Sequence, residues 1–321
     1  NDGIDPAGKK LLEEAGYTVI TDTIEQADLP SEINNFEAII VRSATKIRKE
    51  LIDVCTNLKV IGRAGVGMDN IDVEYARSKG IAVVNTPAAS SLSVAELVFA
   101  HLLSGARFIN RTNRIMPEQG NAEFKNLKKA SSKGVELNGK TIGIVGFGRI
   151  GQACAHIALG MGMKVIYYDP YLPNTSLFFQ LNADYKVDPI EIPMSAQDSL
   201  EDLLHIADFV SLHVPFTGSA LIGEAEIQMM KPGAALVNCA RGGVVDESSL
   251  KAALVEGRIS FAGIDVFEQE PPVYQDILKL DNVSLSPHIG ASTQEAQKRV
   301  GIENITTIFD DNGFIEEFFY I

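Results

Sequence analysis

Short apolar runs alternate with helically spaced apolar positions through the first ninety residues. Residues 17–20, 38–41, 59–62 and 81–85 have the length and the β-branched content of strands, whereas 9–15, 47–55 and 73–79 repeat their apolar positions at helical spacing. Strictly alternating strands and helices predict a parallel sheet covered by helices, because two parallel neighbours can be joined only by a crossover. After Asn85-Thr86-Pro87, residues 94–108 read as a long apolar helix, with Ser93 as its cap and Glu96 three positions later as the second half of a capping box. This helix is expected to cross between domains. The sequence opens in a turn-like NDGIDPAG segment that leads straight into the helical pattern of 9–15, so a strand opening the series is expected to lie outside it.

A second series starts at Thr141, with strands at 141–145, 164–168, 209–212, 234–238, 261–265 and 283–285. Helical periodicity resumes over 292–308, and this segment is expected to return to the first domain. The expected fold is therefore α/β, with two Rossmann-like, doubly wound parallel-sheet domains and the active site in the cleft between them. The first, flavodoxin-like and discontinuous, takes 1–91 plus 289–321. The second takes 92–288.

A chain of 321 residues that is 45% hydrophobic and 22% charged exceeds one typical small core, which agrees with two domains. Its 28 basic and 42 acidic residues leave a formal charge of −14, and such a field argues against nucleic acid and membrane surfaces as partners. A small anion remains open, because a few arginines focused in a cleft outweigh a diffuse surface charge. Cys55, Cys154 and Cys239 form no paired motif and no metal-ligand spacing with the five histidines, so no metal is expected and a reducing, cytoplasmic setting is. No apolar run has the length of a membrane span.

Gly146-Phe-Gly148-Arg-Ile-Gly151 follows a strand and opens a helix. In such a turn the first glycine permits the tight bend, the second lets a pyrophosphate approach the backbone, and the third packs helix on strand. Alone the pattern is weak. Asp169, at the end of the next strand, strengthens it, since an acid there accepts hydrogen bonds from ribose hydroxyls and repels a 2′-phosphate. NAD is expected over NADP. Arg241, Asp265, Glu270 and His288 each follow a later strand. Taken singly, an arginine is most often a surface ion partner, an acid a solvated cap and a histidine structural. Together, downstream of a dinucleotide turn, Arg241, Glu270 and His288 supply an anion clamp, a carboxylate and an imidazole at neighbouring strand exits.

The stretches Val41-Arg-Ser-Ala-Thr-Lys, Gly62-Arg-Ala-Gly-Val-Gly-Met-Asp-Asn-Ile-Asp, Asn85-Thr-Pro, Asn238-Cys-Ala-Arg-Gly-Gly, Asp265-Val-Phe-Glu-Gln-Glu-Pro-Pro and Pro287-His-Ile-Gly-Ala-Ser-Thr resemble the D-isomer-specific 2-hydroxyacid dehydrogenases over nearly the whole chain. Within that family the similarity is strongest to members that oxidise 3-phosphoglycerate, without their C-terminal regulatory extension. The resemblance implies Arg241, Glu270 and His288 as the catalytic set, with His288 as general base. It also implies pyrophosphate contacts at Arg149 and Ile150, the nicotinamide carboxamide near Asp265, and further NAD contacts at Val214, Cys239, Ala240, Gly290 and Ala291.

The substrate is expected to be a small anionic 2-hydroxy or 2-keto acid. Its carboxylate would meet the backbone of Ala64, Gly65, Val66 and Gly67, and Arg42 and Arg63 would meet a distal phosphate. A homodimer through the helix at 94–108 is implied as well. Two features depart from the family: the loop 213–222 is short and lacks the usual threonine before Leu221-Ile222, and the sequence ends 33 residues after His288, so no serine-sensing domain is expected. Two other readings compete, a hydroxypyruvate or glyoxylate reductase and an NAD-sensing corepressor of the same fold.

Overall fold

The computed structural model describes residues 1–179, 186–273 and 275–308. Its elements in chain order are α1 (Pro6–Glu14), α2 (Leu29–Glu32), β1 (Ala38–Val41), α3 (Lys49–Val54), β2 (Val60–Arg63), α4 (Val73–Ser78), β3 (Ala82–Asn85), α5 (Ser91–Ala106) and α6 (Ile109–Ala130). There follow β4 (Thr141–Val145), α7 (Arg149–Gly160), β5 (Lys164–Tyr168), β6 (Asn174–Phe179), β7 (Ile190–Ser195), α8 (Leu200–Ile206), β8 (Phe209–Leu212) and α9 (Glu224–Met229). The series closes with β9 (Ala234–Asn238), α10 (Glu247–Glu256), β10 (Ile259–Ile264), α11 (Gln275–Leu278), β11 (Val283–Leu285) and α12 (Gln294–Ile308). The chain packs as two units, one of residues 1–93 with the segment from Ala291 onward, the other of residues 94–290. Residues 309–321 of the first expected domain lie outside the described residues.

The first unit is built on the parallel sheet β1-β2-β3. The helix α1 starts where Asp5 accepts the amide of Ala7 at 2.9 Å and Pro6 supplies a preset φ. Ile33, Val41, Ile47, Ile52 and Ile61 are fully or almost fully buried together, and each such side chain contributes about 1.5–3 kcal/mol by leaving water. Across the sheet, α12 packs on β2, β3 and α1, with Gly8 set so tightly that a Cβ there would meet the Gly301 carbonyl at 3.0 Å.

The strand expected at 17–20 does not form. Glu37 and Val41 direct their carbonyls to β2, so in the alternation of a parallel ladder Ala38 and Ile40 face the outer edge. No described strand neighbours that edge; the amino group of Asn1 reaches the Ile40 carbonyl there. Residues 17–21 lie across a groove of about 510 Å³, with no ladder to join.

The second unit carries a six-stranded, wholly parallel sheet in the order β11-β10-β9-β8-β4-β5. All five residues of β9 are buried, as a central strand covered on both faces requires. One apolar cluster joins α5 and α7 residues such as Phe99, Leu102, Cys154 and Ala158, and another joins α8, α9 and α10 residues such as Leu203, Ile227 and Leu250. Phe147 and Tyr167 stack at 3.9 Å inside the former. The doubly wound arrangement expected from the alternation of strands is thus present.

Three local features differ from the pattern read along the chain. α5 begins at Ser91, so Ser93 lies within the helix and is not its cap. α6, with Pro117 in its interior, and the antiparallel hairpin β6-β7 are additions. Among the described residues no single helix is long and apolar enough to cross a membrane. The pair α5 and α6 carries that much apolar length only across a 59° bend, next to Phe108 at φ +56°.

Candidate active site

Every candidate residue of the second unit lies at one edge of its sheet, where the strands end. Gly146 follows β4, Asp169 follows β5, Val214 lies two residues beyond β8, Cys239, Ala240 and Arg241 follow β9, Asp265 follows β10 and His288 follows β11. The first strand of the unit, β4, lies between β5 and β8, so crossovers leave it in opposite directions. That switch point is where open α/β sheets leave a crevice for a ligand.

The glycine turn has the stereochemistry of a dinucleotide cradle. Gly146 has φ +88°, and a Cβ there would approach the His213 carbonyl at 2.6 Å. A Cβ on Gly151 would overlap the Gly146 carbonyl, whereas one on Gly148 would meet nothing within 4 Å. The turn is therefore closed on the protein side and open above Gly148, where α7 begins. With Gly148, Arg149 exposed and Ile150 half-buried, the first turn of α7 presents its amides outward. Asp169 sits beside this opening: its Oδ2 accepts the Phe147 amide at 2.8 Å and its Oδ1 the Tyr171 amide at 2.9 Å. Open space over Gly148, a carboxylate at the next strand end and a twelve-residue helix behind the turn fit NAD.

At the other end of the same edge, His288 Nδ1 and Glu270 Oε2 are 2.8 Å apart, and Glu270 Oε1 accepts the Phe267 amide at 3.3 Å. His288 has φ +54°, a left-handed conformation that is uncommon outside glycine. Both side chains reach solvent, and an apolar pocket of about 370 Å³ containing Phe267, Pro272 and Leu285 adjoins them. Arg241 follows β9, which lies two strands from β11, a separation of about 10 Å between those strands. Its Nη1 donates to the Ala240 carbonyl at 2.7 Å, and its own carbonyl accepts Asn238 Nδ2 at 2.9 Å, which ties the arginine loop to β9.

Asp265 is wholly buried and receives the amides of Ile289 and Gly290 on its carboxylate at 2.8 and 2.9 Å. Gly290 closes the second unit; Ala291 belongs to the first, where its carbonyl accepts Gln297 Nε2 at 2.7 Å.

Other titratable groups of this edge are unsuited to proton transfer or nucleophilic attack. Burial pushes the pKa of His213, whose Nε2 meets Ser211 Oγ at 2.9 Å, down to about 4. Burial, then Asp265 and Cys154, raise the thiol of Cys239 well above its ordinary range, and burial raises Cys154. His213 did not stand out in the sequence; its position just after a strand was the available signal. Among the described residues no group of three or more His, Cys, Asp or Glu could hold a metal.

In the first unit, Arg42 follows β1, and Arg63 is the last residue of β2, in register with Val41. Asp2 accepts the amides of Arg42 and Thr45 at 2.7 and 3.1 Å and the Thr45 hydroxyl as well, which holds the Arg42 loop. Burial pushes the Asp2 carboxyl up, but those hydrogen bonds from Thr45 and Arg42 prevail and its pKa is lowered. Arg63 Nη1 donates to the Ala64 carbonyl at 2.7 Å and lies over Gly65, whose φ of +148° and missing side chain make room for it. The amides of Ala64 and Gly65 already bond to the carbonyls of Val41 and Arg63, both at 2.9 Å. Of the four amides expected to receive a ligand, those of Val66 and Gly67 are the ones with no acceptor among the described residues.

The family model for the NAD-binding domain of the D-isomer specific 2-hydroxyacid dehydrogenases matches residues 99–290. The chain is 44% identical to a hydroxypyruvate reductase of Thermotoga maritima, over 98% of this chain and 97% of that protein. It is also 44% identical to a D-3-phosphoglycerate dehydrogenase of Methanocaldococcus jannaschii, over 91% of this chain but 53% of that longer protein, so it spans about half of that relative. Among solved structures, the NAD+-bound 3-phosphoglycerate dehydrogenase of Entamoeba histolytica superposes with a TM-score of 0.74 at 28% identity, over 96% of this chain and 91% of that one. A dinucleotide turn and a His–Glu pair at one sheet edge accord with these matches, and the chain belongs to the D-isomer specific 2-hydroxyacid dehydrogenases, which are NAD-dependent oxidoreductases.

Proposed function

We propose that the substrate pair is 3-phosphoglycerate and 3-phosphohydroxypyruvate, which would place the reaction in serine biosynthesis. The observation that carries this reading is the setting of Arg42. It shares an open pocket of about 530 Å³ in the first unit with Lys298, Ser292 and Thr293, at the start of α12, with Asp5 as the one acid. Two cations and two hydroxyls against one carboxylate suit a phosphate, which carries nearly two charges and accepts several charge-assisted hydrogen bonds. A hydroxypyruvate reductase is the second reading, favoured by the 44% identity to the T. maritima relative.

Bound NAD would supply the hydride chemistry, and the protein supplies orientation and the proton path. Glu270 holds His288 through Nδ1, which leaves Nε2 to take the C2 hydroxyl proton during oxidation and to return it during reduction. Arg241 clamps the substrate carboxylate with its planar fork and polarises the C2 oxygen. The amides of Val66 and Gly67 add donors for that carboxylate. Arg149, Ile150, Val214, Cys239, Ala240, Asp265, Gly290 and Ala291 are assigned to the cofactor, with Cys239, being buried, offering its backbone.

For the partner we infer a second copy of the chain, paired through α5, whose Leu92 and Leu103 are exposed at 50% and 39% despite their size. Three cysteines without a disulfide accord with a reducing, cytoplasmic setting. Sedimentation at micromolar concentration should give twice the mass of the 321-residue chain; the mass of one chain would reject the pairing.

His288→Asn suits the left-handed backbone at this position and removes the imidazole. Turnover should fall ~10²- to 10⁴-fold with NADH affinity, read by nicotinamide fluorescence, retained. Near wild-type turnover would move the proton to another group. Asp169→Ala should narrow the preference for NADH over NADPH, because the carboxylate facing a 2′-phosphate is gone. A wild type that uses both cofactors with equal kcat/KM would refute the ribose assignment. The substrate is decided by steady-state kinetics: wild type should favour 3-phosphohydroxypyruvate over hydroxypyruvate, and Arg42→Ala should lose about tenfold or more in kcat/KM on the phosphorylated acid alone. Equal losses on both acids, or preference for the unphosphorylated one, would select the reductase.

A further inference from the structure

One buried group of the second unit has no part in the mechanism above. His101, on α5, is only 3% exposed, with its ring laid along β11. The place for it is made by Gly263 on β10, where a Cβ would come within 2.6 Å of the His101 Cβ. Gly263 pairs in register with Ser284, so the two share a face of the sheet, and the period of two puts Asp265 and Ser286 on that face as well. His101 Nδ1 meets Ser284 Oγ at 2.8 Å and Nε2 meets Ser286 Oγ at 2.9 Å.

The proton directions in this cluster follow from counting. Ser286 Oγ donates to Asp265 Oδ1 at 2.6 Å, and a hydroxyl has one proton. It must therefore accept from His101, which places the ring proton on Nε2 and leaves Nδ1 to accept from Ser284. Burial lowers the pKa of His101, against the opposing charge of Asp265, in keeping with a neutral ring. Asp265 passes the constraint onward: its main-chain carbonyl accepts the amide of His288 at 2.8 Å, and its carboxylate accepts those of Ile289 and Gly290. Three successive amides of the turn that carries His288 thus hang on one buried residue.

We propose that His101 is a positioning residue for the reaction, orienting Ser286 and through it Asp265, so that the strained His288 turn keeps one geometry. This rests on the assignment of His288 and Asp265 to proton transfer and cofactor. Removing the imidazole leaves two buried hydroxyls short of a partner, and water or rotation then competes for the Asp265 oxygen.

The test uses the whole enzyme and four variants beside His288→Asn, with kcat for keto-acid reduction, NADH affinity and thermal midpoint measured on each. His101→Leu should lower kcat about tenfold with NADH affinity changed less than about threefold. His101→Gln, whose amide can donate to Ser286 and accept from Ser284, should recover most of that loss. Ser286→Ala, a smaller change that protects the test if the leucine variant folds poorly, should show the same fall in kcat. The double variant His101→Leu with Ser286→Ala should be no slower than the slower single one, as for residues acting in one chain. Leucine and glutamine variants that lose thermal midpoint alike while kcat stays at the wild-type value would overturn the proposal, as would additive losses. A fully active His288→Asn would refute the underlying assignment; an inactive one beside a fast His101→Leu would refute the positioning role alone.

Discussion

Parallel strands impose a direction on everything they carry. Each must be followed by a crossover before its neighbour begins, so in the six-stranded sheet every strand from β4 to β11 delivers its chain to the same edge. Residues more than a hundred positions apart, from Gly146 to His288, line up there because the backbone has no other way to run. The apolar cost of building this edge is borne by β9 and its neighbours, whose side chains are buried on both faces. Chemistry then needs only short loops, each anchored at its strand end by hydrogen bonds to the backbone, as Asn238 does for the Arg241 loop.

Electrostatics sort the groups at that edge by access to water. Burial lowers the pKa of two imidazoles, His101 inside a hydroxyl network and His213 against Ser211. At the same edge the imidazole of His288 reaches solvent and is paired with the carboxylate of Glu270, the surroundings that the proposed proton transfer needs. Under the proposed assignment a single chain uses the same side chain as buried scaffold and as acid–base group, and the difference lies in what surrounds each ring.

Much of this was legible beforehand because a parallel sheet writes strong signals. The strands at 38–41, 141–145, 164–168 and 209–212 coincide with the observed ones, since each reads as a short run rich in apolar residues and bounded by turns. The catalytic candidates could be placed at strand exits for the same reason. What the pattern could not reveal depends on neighbours rather than on local sequence. Residues 17–20 have strand composition but no strand to pair with at the β1 edge. α6 hides behind Pro117 and a polar composition, and β6-β7 pair with each other through alternation too weak to separate from a loop. The capping box at Ser93 had the right residues two positions inside a helix that had already begun. The bonding of the Ala64 amide was equally invisible, because its partner, the Val41 carbonyl, becomes apparent only once β1 and β2 are in register.

Burial of the thiols has a bearing on durability. The reactive form of cysteine is the thiolate, and both Cys154 and Cys239 are held in the thiol form by a dry, apolar setting, while Cys55 donates to the Leu51 carbonyl at 3.2 Å. Peroxides and other electrophiles therefore meet no activated cysteine at the edge proposed for the dinucleotide. The burial that builds the sheet thus also disfavours oxidation of these two thiols.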